Sequence, residues 1–109
     1  MIEGQETKVM SVRDAIIEAM SEEMRRDENV FLMGEDVGVY GGDFGTSVGM
    51  LEEFGSERVR DTPISENAIS GCAVGAALTG MRPIVDVTFM DFIVYMMDNI
   101  VNQAAKTRY

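Results

Sequence analysis

The chain has 109 residues, 46% of them hydrophobic and 26% charged, and nineteen acidic against nine basic residues give a net charge of −10. This is the composition of one globular domain at most, shorter than most complete α/β enzymes, and the charge has the wrong sign for gripping a nucleic-acid backbone. With no histidine and a single cysteine, a Cys/His zinc centre, a Ser-His-Asp triad and an internal disulfide are all excluded, so any chemistry must run on carboxylates, backbone groups or a cofactor.

Residues 1–10 read as a loose N-terminal arm, and residues 11–109 as the domain proper. The arm has neither the basic nor the apolar region of a signal peptide, and the longest weakly polar run, Gly71 to Met81, is far short of the roughly 20 residues of a membrane span. A cytoplasmic or organelle-matrix setting follows, with neither membrane nor nucleic acid as partner. Ser11-Val12-Arg13-Asp14 resembles a capping box, and Val12, Ala15, Ile16, Ala19, Met20 and Met24 recur at helical spacing, so an amphipathic helix is expected to end near Arg26. Val30-Phe31-Leu32-Met33 is then a short apolar run suited to a buried strand, closed by Gly34-Glu35-Asp36.

The glycine-rich segment from Gly38 to Gly49 matches neither GxGxxG nor a Walker A pattern, so it reads as a mobile loop near a site or as a plain connector. Met50 to Phe54 forms a brief helix stopped by Gly55. The chain then reaches the stretch around which it is organised, Arg60-Asp61-Thr62-Pro63-Ile64-Ser65-Glu66. Pro63 sets the boundary between an extended segment and a helix, with Ser65 as N-cap. The helix that follows carries Gly71 and Gly75 four apart beside Ala68, Cys72 and Ala76, a smooth side fit for close packing, with Cys72 as a buried packing residue. Glu66 at its mouth is either a first-turn acid favoured by the helix dipole or a ligand-facing carboxylate.

Gly80 ends that helix, Arg82-Pro83 turns the chain, and Ile84 to Phe89 is the clearest strand, interrupted by Asp86. From Asp91 onward Ile93, Met96, Met97, Ile100, Val101 and Ala104 keep a helical spacing, with Lys106 and Arg108 at its end. Phe92 and Tyr95 at its start are open to a core reading. Strand and helix in alternation give a three-layer α/β fold, a mainly parallel sheet with flanking helices. Ligands in such folds gather at the carboxyl ends of the strands. Glu35 and Asp36, Glu66, and Asp91 with Phe92 are expected to meet there.

These residues resemble the β subunits of the thiamine-diphosphate-dependent E1 component of 2-oxo acid dehydrogenases, of the pyruvate and acetoin type. The resemblance spans Val12 to Tyr109 and is carried by Val12-Arg13-Asp14-Ala15-Ile16, Val30 to Val37, Asp61 to Glu66, Ala73 to Pro83 and Asn102 to Tyr109. It implies the transketolase-like pyrimidine-binding fold. It also implies that Glu66 hydrogen-bonds N1′ of the cofactor's aminopyrimidine, and that a proton shared there lets the 4′-amino group take the thiazolium C2 proton. By the same resemblance Ile64 contacts the pyrimidine, Phe92 stacks on it and Asp36 lies behind the contacting groups.

The implied partners are an E1 α subunit, which binds the pyrophosphate and its magnesium ion, a second β subunit, and an E2 lipoyl acyltransferase reached through regions absent here. Family members are about three times as long, so the chain reads as truncated at Tyr109. Two other readings stand beside this one: a non-catalytic subunit-interaction module built on the smooth helix, and the pyrimidine-binding domain of another transketolase-like enzyme.

Overall fold

The computed structural model describes residues 8–42 and 44–107; most of the expected arm, residues 1–7, and the expected helix end at Arg108 and Tyr109 lie outside them. The elements are α1 (Val12–Arg26), β1 (Val30–Gly34), α2 (Met50–Phe54), β2 (Val59–Asp61), α3 (Glu66–Leu78) and β3 (Arg82–Asp86), then a 3-10 segment, Met90–Met96, and a π-helical segment, Asp98–Ala104.

β1 is the middle strand of a parallel sheet ordered β2-β1-β3. Its run of apolar residues has no polar face to show to water, and all five of its residues are buried. Alternation along the strand divides the core. Val30 and Leu32 pack with Met24, Val37, Met50 and Val59 on the α1/α2 side, whereas Phe31 and Met33 pack with Ile69, Ala73 and Met96 on the α3 side. The molecule is therefore the three-layer α/β arrangement that the alternation of elements predicts, and each large side chain buried in it contributes about 1.5–3 kcal/mol.

α1 starts as its sequence dictates, with Ser11 Oγ accepting from the Asp14 N–H at 3.1 Å. Its apolar stripe is only half used: Met24 is buried, but Val12 is 79% exposed. β3 differs from expectation, running over Arg82–Asp86 with Pro83 inside it. The reason lies in its position at the sheet edge. The Arg82 N–H points inward to Asn29 O at 2.9 Å, so the next nitrogen, that of Pro83, points away from β1, where the missing donor costs no ladder bond.

The helical spacing after Asp91 also resolves differently, as tight 3-10 winding and then wide π winding instead of one α-helix. Both segments lie against α3. Asn99 Nδ2 donates to Asn67 O, Asn67 Oδ1 and Ser70 Oγ at 2.9–3.0 Å, tying the π segment to that helix. α3 buries Ile69, Ser70 and Ala73, not its glycine line; Gly75 faces open space. Cys72, expected in the core, is exposed; it borders an open cleft beside β2 instead of packing into the core.

The glycine-rich segment is compact and not a loose connector. Gly42 N–H donates to Asp36 O at 2.7 Å and Ser47 N–H to Gly41 O at 3.0 Å, while the buried Ser47 Oγ donates to Val37 O at 2.7 Å. Gly41, Gly42, Gly45 and Gly49 take φ of +72° to +86°, which is why glycine recurs there.

One side chain joins this layer together. Arg58 Nη2 donates to Met24 O, Asp27 O and Val30 O at 2.5, 2.9 and 2.8 Å, and its guanidinium lies 5.2 Å from the Phe54 ring centroid. It thus satisfies carbonyls at the open end of α1, holds the start of β1 and stacks on α2. Nearby, Arg25 grips Glu53 through two bonds of 2.5 and 2.7 Å. That contact holds the Glu53 carboxyl below and the Arg25 guanidinium above their usual ranges; both groups are exposed, so the pair orients α2 more than it stabilises it. Arg58→Ala is expected to lower unfolding free energy in urea by about 2–3 kcal/mol. A loss under about 0.5 kcal/mol, ordinary for a surface substitution, would contradict the joining role.

Candidate functional site

Because the strands are parallel, β1, β2 and β3 all end on one edge of the sheet, and their last residues are in register. Gly34 pairs with Asp61 on one side and Asp86 on the other. No larger residue fits between them: a Cβ on Gly34 would stand 2.9 Å from Asp86 Cβ and 3.1 Å from Val37 Cγ1. Each aspartate then fixes a departing segment. Asp61 Oδ1 accepts from the Gly38 N–H at 2.7 Å, and Asp86 Oδ1 accepts from the Thr88 N–H at 2.8 Å. Asp86, an interruption when seen in sequence, is the residue that ends its strand.

The backbone is strained at this same edge. Asp36, two residues beyond β1, has φ +56°, and Thr88, two residues beyond β3, has φ +71°; among the described residues no other non-glycine side chain takes the left-handed region. For β-branched Thr88 this is costly, and such residues cluster at functional sites. The Asp86 contact holds it there.

The mouth of α3 completes the edge. Thr62 N–H donates to Gly34 O at 3.0 Å, carrying the sheet pattern one residue past β2. Thr62 Oγ1 is buried with no hydrogen-bond partner among the described residues. Ser65 occupies the N-cap position but does not cap: its φ −165° and ψ 86° differ from the −69° and 159° of Ser11, and its side chain makes no capping bond. The leading N–H groups of α3 are thus left open to a ligand or solvent. Glu66 follows in the first turn, half-buried, and among the described residues its carboxylate has no hydrogen-bond or ion-pair partner; its carbonyl accepts from Ser70 Oγ at 3.0 Å.

Glu66, Ile64, Asp36 and Phe92, singled out from the sequence, fall on this edge by topology. Glu66 and Ile64 lie at the mouth of α3, Asp36 follows β1, and Phe92 is in the 3-10 segment after β3. Ile64 is 82% exposed, a large apolar side chain presented outward beside an open helix mouth. Phe92 is half-buried and meets Phe89 edge to face, centroids 5.6 Å apart. Sequence reading did not single out Asp61, Thr62, Asp86 or Phe89 as parts of the site; only the in-register pairing across Gly34 reveals the two aspartates. Beside the edge, Asp61, Thr62 and Pro63 line a cleft of about 660 Å³ with Phe31, Met33, Val59 and Cys72. No three Asp, Glu or Cys side chains among the described residues are grouped to hold a metal ion, and no helix among them is long and apolar enough to cross a membrane.

Comparison with known proteins agrees with this architecture. Residues 8–109 match the family described as transketolase, pyrimidine binding domain. The chain is 54% identical over 101 residues to the 2-oxoisovalerate dehydrogenase subunit beta of Bacillus subtilis, covering 93% of this chain and 31% of that protein. It is 50% identical over 106 residues to the pyruvate dehydrogenase E1 component subunit beta of Rhizobium meliloti, covering 97% and 23%. The mitochondrial pyruvate dehydrogenase E1 subunit beta of Saccharomyces cerevisiae is 50% identical over 103 residues, covering 94% and 28%. The chain thus spans between about a quarter and a third of the length of these relatives. It belongs to the transketolase pyrimidine-binding domain family.

An unpartnered buried hydroxyl carries a penalty that a ligand can relieve. Thr62→Val, which keeps the side-chain shape, is expected to raise the stability of the ligand-free chain by about 1 kcal/mol in urea denaturation. A loss of similar size would show that the hydroxyl already has a partner.

Proposed function

Taking that membership as the premise, we propose that the chain is the N-terminal part of the pyrimidine-binding domain of an E1 β subunit, with Glu66 as the group that activates thiamine diphosphate. The observation that carries this reading is the carboxylate of half-buried Glu66, unpartnered among the described residues, at the uncapped mouth of α3. The residues around it suit an aminopyrimidine. Ile64 offers apolar surface, Phe92 an aromatic face, and the buried Thr62 hydroxyl an unused donor and acceptor. Asp36 stands behind them after β1.

Bound thiamine diphosphate supplies the nucleophilic carbon and electron sink that decarboxylation of a 2-oxo acid requires. The chain's own part is proton handling and orientation. Glu66 would hold a proton at a ring nitrogen of the aminopyrimidine, and Ile64, Phe92 and Thr62 would help keep water from that contact, which would strengthen it. The pyrophosphate and its magnesium ion are assigned to an E1 α subunit, so the reading requires a site completed across an interface, with a second β subunit and an E2 acyltransferase as further partners. Relatives named for pyruvate and for 2-oxoisovalerate are similar to the chain at 50% and 54% identity, which supports a 2-oxo acid as the substrate class, with acetoin as the alternative. A soluble compartment, cytoplasm or mitochondrial matrix, suits such a complex.

Glu66→Gln in a reconstituted α/β complex is expected to leave assembly intact and lower 2-oxo acid decarboxylation by about 10²- to 10⁴-fold, the range of a lost acid–base group. Decarboxylation within about twofold of the parent would contradict the assignment, since such a change is far below one lost proton-transfer group.

A further inference from the structure

Phe44 and Phe89 belong to neither hydrophobic cluster of the core, and the two residues are 57% and 49% exposed. They are nevertheless arranged. Phe44 meets Phe89 edge to face, centroids 5.3 Å apart at 81°, and Phe89 meets Phe92 at 5.6 Å and 85°. Core burial does not account for this chain of contacts.

The backbone holds both ends of it. Phe44 sits in a turn closed by the Gly45 N–H donating to Gly42 O at 3.1 Å, and Gly42 is itself tied to Asp36 O, so the ring is anchored to the end of β1. Phe89 follows the left-handed Thr88 that Asp86 holds in place, and the Phe92 N–H donates to Phe89 O at 3.0 Å. The two strained strand exits, after β1 and after β3, are thereby joined through three aromatic rings.

We propose that Phe44 and Phe89 are positioning residues that fix the ring of Phe92 for its ligand, so that the glycine-rich segment sets the aromatic wall of the site. This rests on the reading of Phe92 as a pyrimidine contact. Edge-to-face pairs have a definite preferred geometry, so removing the first ring leaves Phe92 free to tilt. The glycine-rich segment then has a task beyond connecting β1 to α2: it carries the ring that its φ-positive glycines present.

The chain has five phenylalanines, so 4-fluorophenylalanine labelling gives one fluorine resonance for each, assigned by single Phe→Leu variants. The probe is the free aminopyrimidine half of thiamine, 4-amino-5-hydroxymethyl-2-methylpyrimidine. In Phe44→Leu, the Phe89 and Phe92 resonances are expected to move while those of the core residues Phe31 and Phe54 stay. Affinity for the probe is expected to fall about three- to tenfold, the worth of one such pair, and Phe44→Tyr is expected to restore both readouts. An unmoved Phe92 resonance overturns the proposal, as does a moved one with unchanged affinity. If the Phe92 resonance of the parent chain ignores the probe, the reading of the site fails and the positioning role fails with it; if the parent responds and Phe44→Leu binds as well, only the positioning role fails.

Discussion

The absence of a side chain at Gly34 lets β1 end wedged between Asp61 and Asp86, and the geometry of the candidate site follows from that close approach. A Cβ there would displace Asp86 or Val37. With the wedge in place, both aspartates sit in register and each spends an oxygen on the segment leaving the edge, Asp61 on Gly38 and Asp86 on Thr88. The left-handed Thr88, the entry of the glycine-rich segment and the mouth of α3 all take their positions from these few atoms. A parallel sheet concentrates its strand ends on one edge by construction; here the register sharpens that edge to a single row of residues.

Forces on the two faces of the sheet differ in kind. On the α1/α2 face, polar contacts finish what burial begins, with Arg58 meeting carbonyls of α1 and β1 and Arg25 meeting Glu53. The α3 face depends on Ile69 and Ala73 packing with Phe31, Met33 and Met96, with Asn99 reaching three acceptors on the helix. It also leaves apolar surface uncovered, including Ile64, Met90, Val94 and Tyr95, each at least 64% exposed. Patches of that sort mark contact surfaces, and their position on the side of the sheet that carries Glu66 suits a site completed by another subunit.

Much of this was legible in the sequence, for identifiable reasons. The unbroken apolar run of β1 announced a strand covered on both faces, the capping box began α1 at the right residue, and Gly55 stopped α2 after Phe54. Pro63 marked the break between β2 and α3. Failures came where tertiary position decides. Pro83 is tolerated because β3 is an edge strand, Cys72 is exposed because it borders an open cleft beside β2, and Ser65 has the identity of an N-cap without its backbone angles. Helical spacing after Asp91 could not distinguish 3-10 or π winding from α. At the site, Glu66, Asp36 and Phe92 could be placed from the alternation of elements, their roles and Ile64 came from the family resemblance, whereas Asp61, Asp86 and Phe89 act through register and ring geometry that no linear motif encodes.

The central claim is that the carboxyl edge of the sheet around Gly34 is the surface that meets an aminopyrimidine. Backbone amide shifts of isotope-labelled chain, followed by NMR while the free aminopyrimidine is added, test it most directly. The account predicts perturbations gathered at Gly34 to Asp36, Thr62 to Asn67 and Phe89 to Phe92, with α1 and α2 unmoved. Perturbations confined to α1 and α2, or none at these three segments at saturating probe, would contradict it.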